Sequence, residues 1–256
     1  MTVHVPNPMD RSPHPHRTAV VTGASAGIGR EFARRLAATG YRVIAVARHE
    51  DRLRALTDEV GPGHGYLAAD LTTAAGRQQV ADLFSRQRVH LLVNNAGIAV
   101  TGRFATVPLE RTLEMMRLNC DALVTLAHAF LARARPGDTL LNVSSTLAYA
   151  PTPDLGAYSA TKAFVTSFSE ALWAEHRKSG VHVLSLCPGM TATESQPHHD
   201  VPAPLVQTPQ QVVGAALQAL HRRNRPTVIS GTSNKIFAVA TRALPRRLLL
   251  IALGHG

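Results

Sequence analysis

The strongest constraint on the fold is a glycine turn wedged between an apolar run and a helical pattern. Thr18-Ala-Val-Val-Thr22 reads as a buried strand, and Thr22-Gly23-Ala-Ser25-Ala-Gly27-Ile28-Gly29-Arg30 follows it without a spacer. Arg30 to Thr39 then has helical periodicity and stops at Gly40. Glycines at a strand-to-helix turn let the backbone come close to a pyrophosphate, whose charge faces the N-terminus of the helix. Such a turn can also exist with no ligand, and a glycine pattern alone does not separate the two. Its place in the first strand–helix–strand unit favours a dinucleotide. A P-loop is excluded, because no Gly-Lys-Ser/Thr follows.

The rest of the chain continues the alternation. Short apolar runs at 41–47, 65–69, 90–93, 139–143, 181–186 and 226–229 predict strands, and helical periods cover 50–60, 74–87, 109–133, 158–178 and 209–221. Strands that alternate with helices at this spacing need crossover connections, which make the sheet parallel and cover both its faces. The prediction is a doubly wound α/β fold of the Rossmann type, one domain over 18–256, with no fixed-period repeat and no dividing linker. At 256 residues the chain has room for one such core and little for a second.

The net charge of +10 raises the question of a nucleic-acid partner. The charge is nearly all arginine and scattered, and the stretches Arg222-Arg223-Asn224-Arg225 and Arg246-Arg247 are short and lack interleaved aromatics. Dispersed positive charge argues for solvation or for steering an anionic ligand, not for nucleic-acid recognition. Residues 1–17 hold four prolines and three histidines without an apolar centre. Neither a signal peptide nor a strand is expected there, and the segment reads as a disordered lead-in, its histidines part of a polar tail rather than a metal site. No run of ~18 apolar residues exists to span a bilayer. Cys120 and Cys187 form no C-x-x-C pair and read as reduced thiols of a cytoplasmic protein.

The spacing Gly-x-x-x-Gly-x-Gly resembles the short-chain dehydrogenase/reductase family, and the likeness continues in order along the chain. Asn94-Asn95-Ala96-Gly97 follows the fourth strand, Asn119 lies in the next long helix, and Ser145 follows the fifth strand. Tyr158-Ser-Ala-Thr-Lys162 is a Y-x-x-x-K motif, and Pro188-Gly189 follows the sixth strand with Thr193 four residues later. The match runs from about Val20 to Thr193. It implies a nicotinamide dinucleotide held by Gly23, Ser25, Gly27, Ile28 and Gly29 at the phosphates, with Asp70 and Leu71 beside the adenine and Asn94 bordering a ribose. Ala96, Gly97, Pro188, Gly189 and Thr193 complete the implied cofactor contacts. Asp70 has a second reading as an N-cap at the end of its strand.

The cofactor type turns on the end of the second strand. An acid there would accept bonds from a ribose 2′-hydroxyl and repel a 2′-phosphate. The chain has Val46-Ala47-Arg48-His49 and no acid until Glu50. A guanidinium suits a phosphate, so Arg48, helped by Ser25, points to NADP(H). The other reading of Arg48 is a solvated surface residue.

Tyr158 and Lys162 are four apart on a predicted helix and share a face. A carbonyl that accepts hydride at carbon becomes an alkoxide at oxygen and needs a proton donor. Free tyrosine titrates near ~10, and a neighbouring ammonium favours its phenolate. By resemblance, Tyr158 is the acid/base, Lys162 tunes it and holds the nicotinamide ribose, and Ser145 donates to the substrate oxygen. Ser145 rather than Ser144 lies thirteen residues before Tyr158, the spacing that favours it. Asn119 would hold a water linking Lys162 to solvent, its other reading being a buried helix residue bonded to backbone.

The stretch about 190–210, rich in proline and histidine, reads as a substrate lid. His198, His199 and Asp200 there lack a fourth ligand at metal spacing. Residues 236–251 are apolar with Arg242, Arg246 and Arg247 interspersed, and Pro245 should break a helix there. Packing on the domain, a dimer contact and a weak membrane-surface contact all remain open for this segment. The family likeness implies a homodimer or homotetramer through helices 109–133 and 158–178. The expected activity is interconversion of a hydrophobic ketone or aldehyde and its alcohol. The rivals are a non-catalytic NADPH-binding regulator and an epimerase- or dehydratase-like reaction on the same fold.

Overall fold

The structure, a computed structural model, describes residues 3–4, 17–194 and 206–253. Seven strands run parallel in one sheet: β2 (Thr18–Thr22), β3 (Arg42–Ala47), β4 (Gly65–Ala68), β5 (Leu91–Asn94), β6 (Thr139–Val143), β7 (His182–Cys187) and β8 (Thr227–Ile229). An eighth, β1 (Val3–His4), lies antiparallel against β4, pairing Val3 with Leu67 and His4 with Tyr66. This corrects the expectation of no strand in residues 1–17. An edge strand needs only backbone pairing, and the open edge of β4 provides it without an apolar run. Residues 5–16, with His14 and His16, and residues 195–205, with His198, His199 and Asp200, lie outside the described residues.

The order across the sheet is β1-β4-β3-β2-β5-β6-β7-β8, so the chain reverses direction between β2 and β5. That reversal opens a crevice beyond the carboxyl ends of the strands, where doubly wound sheets bind ligands. Strand side chains alternate between faces, and both faces are covered. Val21, Ala45, Val93 and Leu141 pack with α1 (Gly27–Ala38), α2 (Glu50–Val60) and α7 (Pro209–Arg222). Val20, Ile44, Leu92 and Leu140 pack with α3 (Ala74–Arg86), α5 (Leu123–Leu131) and, at its rim, α6 (Gly156–His176). Phe32 on one side and Phe130 on the other are fully buried anchors. Truncating either to alanine costs about 3–5 kcal/mol.

Two features depart from the periodic reading. The helix expected over 109–133 is α4 (Leu109–Met116), then a π-helical turn at Arg117–Ala122, then α5. At the other end, α8 (Thr232–Ala243) and α9 (Arg246–Leu253) are separated by Leu244 in extended conformation before Pro245. The proline breaks the apolar segment as expected. No described helix is long and apolar enough to cross a membrane.

Candidate active site

The glycine turn has the shape its sequence implies. Gly23 and Gly27 have φ of +66° and +54°, the left-handed region that a Cβ disfavours. A Cβ on Gly29 would overlap the Gly23 carbonyl oxygen, so only glycine lets α1 start this close to β2. The N-cap of α1 is Ala26, which offers no side-chain acceptor, and the first turn holds no acid. Helix N–H groups left uncapped beside a crevice suit a phosphate. Ser25 and Ile28 are partly exposed in the same turn, Ile28 resting against the core.

A residue of the Asn-Asn-Ala-Gly motif that was not singled out holds this turn in place. Asn95 donates its side-chain amide to the Thr22 carbonyl at 2.9 Å, and the Thr22 hydroxyl accepts from the backbone of Asn95 and Ala96 at 2.9 and 3.0 Å. The loop after β5 is thereby bolted to the glycine turn. The signal was available: a second amide beside Asn94, at the end of a strand next to β2.

Asn94 does something else. Its amide is buried and donates to Asn142 Oδ1 at 3.1 Å and to the Leu123 carbonyl at 3.3 Å. Among the described residues its Oδ1 has no partner, so that oxygen and the backbone are what Asn94 has left to offer a ribose. Asp70 accepts from the backbone and hydroxyl of Thr72 at 3.0 and 2.7 Å, shaping the turn after β4, while Thr73 caps α3. Leu71 is buried in the core beneath this turn. Arg48 sits at the end of β3, half exposed, with Glu114 3.8 Å from its guanidinium. Thr193 lies over the turn, since a side chain at Gly27 would meet its methyl at 2.9 Å.

Ser144 and Ser145 follow β6 and engage different partners. Ser144 is turned into the protein, donating to the Lys162 carbonyl and lying 2.7 Å from the Thr166 hydroxyl. Ser145 begins the 3-10 turn Thr146–Ala148, accepting from Leu147 N at 3.2 Å. Pro188, after β7, accepts from Thr146 N at 2.9 Å and pins this turn, and Gly189 lies against the Asn234 side chain.

Tyr158 and Lys162 occupy the first turns of α6, both buried. The Lys162 ammonium is 5.6 Å from the centre of the Tyr158 ring and donates to the Val143 carbonyl at 3.0 Å. Burial pushes its pKa down to about 8, with Cys120 and Cys187 acting the other way. Lys162 is thus a cation at neutral pH, held beside a phenol by the fold and paired with no carboxylate among the described residues.

Asn119 lies in the π-helical turn. Its carboxamide clamps the backbone of Ile98, accepting from the N–H and donating to the carbonyl, both at 3.0 Å, and also donates to the Thr161 hydroxyl at 3.1 Å. A side chain at Gly97 would meet Asn119 Oδ1 at 3.0 Å and Lys162 Nζ at 3.5 Å. The wider turn therefore brings Asn119 to the wall shared with Lys162. π-turns of this kind recur at functional sites. Residues 117–122, Arg-Leu-Asn-Cys-Asp-Ala, hold no glycine or proline to mark a change of helix type, so the sequence does not announce it.

A cleft of about 140 Å³ opens at the start of α6, lined by Val100, Phe104, Val107, Pro153 and Ala157 together with the polar Thr112, Thr152 and Asp154. Ala157 adjoins Tyr158. Among the described residues no three His, Cys, Asp or Glu side chains gather as a metal site would require.

Glycines without room for a Cβ, an uncapped helix start and a reversal of strand order together describe a dinucleotide crevice. A buried lysine lies beside a buried tyrosine at the start of α6, with Ser145 following β6. Residues 17–200 match the short chain dehydrogenase family, and the chain belongs to it, a family of NAD(P)-dependent oxidoreductases acting on CH–OH and C=O groups. Among its relatives is a very-long-chain 3-oxoacyl-CoA reductase of Phaeosphaeria nodorum, 32% identical over 84% of this chain and 66% of that one. Sulfoacetaldehyde reductase 2 of Chromohalobacter salexigens is 33% identical over 87% of each chain. A solved short-chain dehydrogenase from Sphingobium yanoikuyae, in complex with NADPH, is 32% identical with a TM-score of 0.76, covering 91% of this chain and 94% of that one. The chain spans just under two thirds of the length of the fungal reductase.

Proposed function

We propose that this chain is an NADPH-dependent oxidoreductase that interconverts a hydrophobic ketone or aldehyde and its alcohol, with Tyr158 as the acid/base. The observation that carries the reading is the buried Lys162 ammonium 5.6 Å from the Tyr158 ring. NADPH, when bound, supplies the hydride. Gly23, Ser25, Gly27, Ile28 and Gly29 would receive its phosphates, Arg48 its 2′-phosphate, and Asp70, Leu71, Asn94 and Ala96 the adenosine end. Gly97, Pro188, Gly189 and Thr193 would wall the nicotinamide end.

The chain's own part is placement and proton supply. Ser145 donates a hydrogen bond to the substrate oxygen and holds it near the phenol. Tyr158 passes its proton to that oxygen as the carbonyl carbon takes hydride. The positive charge of Lys162 makes this proton easier to release. Asn119 fixes Ile98 and Gly97 beside Lys162, and a water held there would return the proton from solvent.

The apolar cleft at Val100 and Phe104 supports a hydrophobic substrate, and the relatives that act on long acyl chains agree in kind. A homodimer is supported by exposed Leu109, Met116 and Phe164 on α4 and α6. A regulator without chemistry is the second reading, because one relative, 31% identical, is an inactive hydroxysteroid dehydrogenase-like protein of Pongo abelii.

One experiment separates these readings. NADPH and NADH are titrated separately into wild type, Arg48→Ala and Tyr158→Phe, and NADPH oxidation is followed against a carbonyl panel. NADPH should bind ~10–100-fold more tightly than NADH, and Arg48→Ala should erase the difference. Tyr158→Phe should lose ~10²–10⁴-fold in kcat while still binding NADPH. Full activity in Tyr158→Phe would overturn the mechanism. Tight NADPH binding without turnover on any carbonyl would favour the regulator.

A further inference from the structure

We propose that α8 and α9 form a docking surface for an anionic lipid bilayer. The two helices pack on the protein through one face only. Ala238, Thr241 and Leu249 are buried, and Asn234 donates to Gln207 and to the Ser230 carbonyl. The opposite face of α8 is also apolar. Ile236 and Val239, one turn apart, are 66% and 67% exposed, and Leu244, Leu248, Leu250 and Ile251 continue the exposed surface into α9. A surface helix with solvent on its outer side ordinarily turns polar residues that way.

Charge decides what covers this surface. Residues 201–256 contain Arg222, Arg223, Arg225, Lys235, Arg242, Arg246 and Arg247, and no Asp or Glu. Lys235, Arg242, Arg246 and Arg247 flank the apolar residues, are exposed, and pair with no carboxylate among the described residues. Exposed apolar residues fringed by unneutralised cations match the headgroup–acyl boundary of an acidic membrane. A second copy of the chain fits less well. A two-fold axis through α8 would set these cations against their own copies, with no acid in the segment to neutralise them.

The surface is also anchored near the reaction site. The Arg242 guanidinium stacks over the Tyr149 ring at 4.2 Å, and Arg246 donates to the Tyr149 carbonyl at 3.4 Å. Tyr149 ends the 3-10 turn that Ser145 begins, and Pro153 of the following loop and Ala157 of α6 line the cleft. A bilayer resting on α8 and α9 lies next to the loop that borders this cleft. The surface itself does not depend on the proposed reaction.

The test is flotation of the full chain with phosphatidylcholine vesicles and with vesicles that also contain phosphatidylserine. The chain should float only with the anionic vesicles and be released by high salt. Ile236→Asp/Val239→Asp should abolish flotation, and Lys235→Gln/Arg247→Gln should weaken it about thirtyfold, on the order of 1 kcal/mol per cation. All four side chains are exposed, and an unchanged melting temperature in each variant verifies that the fold is intact. No flotation with anionic vesicles at low salt overturns the proposal. So does flotation that survives the double aspartate variant. Sedimentation showing a dimer that the aspartates dissociate, without lipid binding, assigns the surface to a second copy instead.

Discussion

The two ends of the parallel sheet use the same residue types to opposite effect. At the amino ends of β6 and β7, polar groups are consumed by structure. The Arg223 guanidinium donates to the carbonyls of Gly137, Asp138 and Gly180 and to the Thr139 hydroxyl, all within 3.3 Å. Arg17 adds a second bond to Gly137, and buried Asp138 accepts from Arg135 N at 2.8 Å and from Arg88 at 3.3 Å. At the carboxyl ends, among the described residues, Lys162 has one backbone acceptor, Asn94 Oδ1 has no partner, and α1 begins with no side-chain cap. Cations at one end close loops; at the other, a cation is kept against a phenol at the cost of burial. Stability should therefore respond to changes at the amino ends and ligand affinity to changes at the carboxyl ends.

Arg223→Ala tests the division most strongly. Losing four hydrogen bonds from a partly exposed guanidinium should cost about 2 kcal/mol in urea unfolding and leave NADPH affinity unchanged. Arg223 also closes α7 with a φ of +50°, a conformation that glycine adopts at less cost than alanine. Arg223→Gly should accordingly be less destabilising than Arg223→Ala by about 1 kcal/mol. If either variant weakened NADPH binding as much as it weakened the fold, the two ends would not be independent.

Lys162 sharpens the other side of the comparison. With its pKa near 8 in the free chain, it loses its charge as pH rises through 8. An anionic dinucleotide placed beside it favours the protonated form. NADPH affinity should be flat below that pH and fall above it, by at most about tenfold per pH unit for one proton. Lys162→Met should flatten the profile and bind more weakly at neutral pH. A wild-type affinity that stays constant from pH 7 to pH 9.5 would place Lys162 out of contact with the nucleotide.

What could be read beforehand follows the same divide. The strands and most helices were legible because their apolar periods are set by burial on the two faces of one sheet. The places in the fold of the glycine turn, Arg48, Ser145, Tyr158 and Lys162 were legible, since each follows a strand or lies on one helix face; their roles stay proposals. The π-helical turn at Asn119 was not, because no glycine or proline at 117–122 marks the change of hydrogen-bond register. Asn95 was hidden behind Asn94, whose amide turns inward, and only geometry separates two adjacent amides. β1 was missed because two residues of edge pairing leave no pattern. The clamp of Arg223 depends on carbonyls from loops far apart in sequence, and in the sequence it is one more scattered arginine.

His182, at the amino end of β7, departs from this pattern of satisfied polar groups. It is 4% exposed and has Nε2 3.3 Å from the Arg225 carbonyl, while its Nδ1 has no partner among the described residues. Burial holds its pKa below the ordinary 6.5, and the nearby Arg223 pushes the same way, opposed by the bond to the Arg225 carbonyl. His90 is shifted downward too, by burial and by Arg88, and its Nδ1 accepts from Thr18 N at 2.9 Å, a bond that protonation of that nitrogen would break. Both histidines are neutral in the folded chain at a pH where the unfolded chain has begun to take up protons. Their contribution is therefore fully present above pH 6.5 and is lost as pH falls below it, with a slope of at most about 1.4 kcal/mol per pH unit for each proton. Urea midpoints measured from pH 7.5 to pH 5 should fall in that window, and less steeply in His182→Asn. If His182→Asn lost stability with acid as steeply as wild type, the proton would be going elsewhere. The unpaired Nδ1 would then be accommodated by the fold at no cost in acid, and the contrast between the two ends would extend to this residue as well.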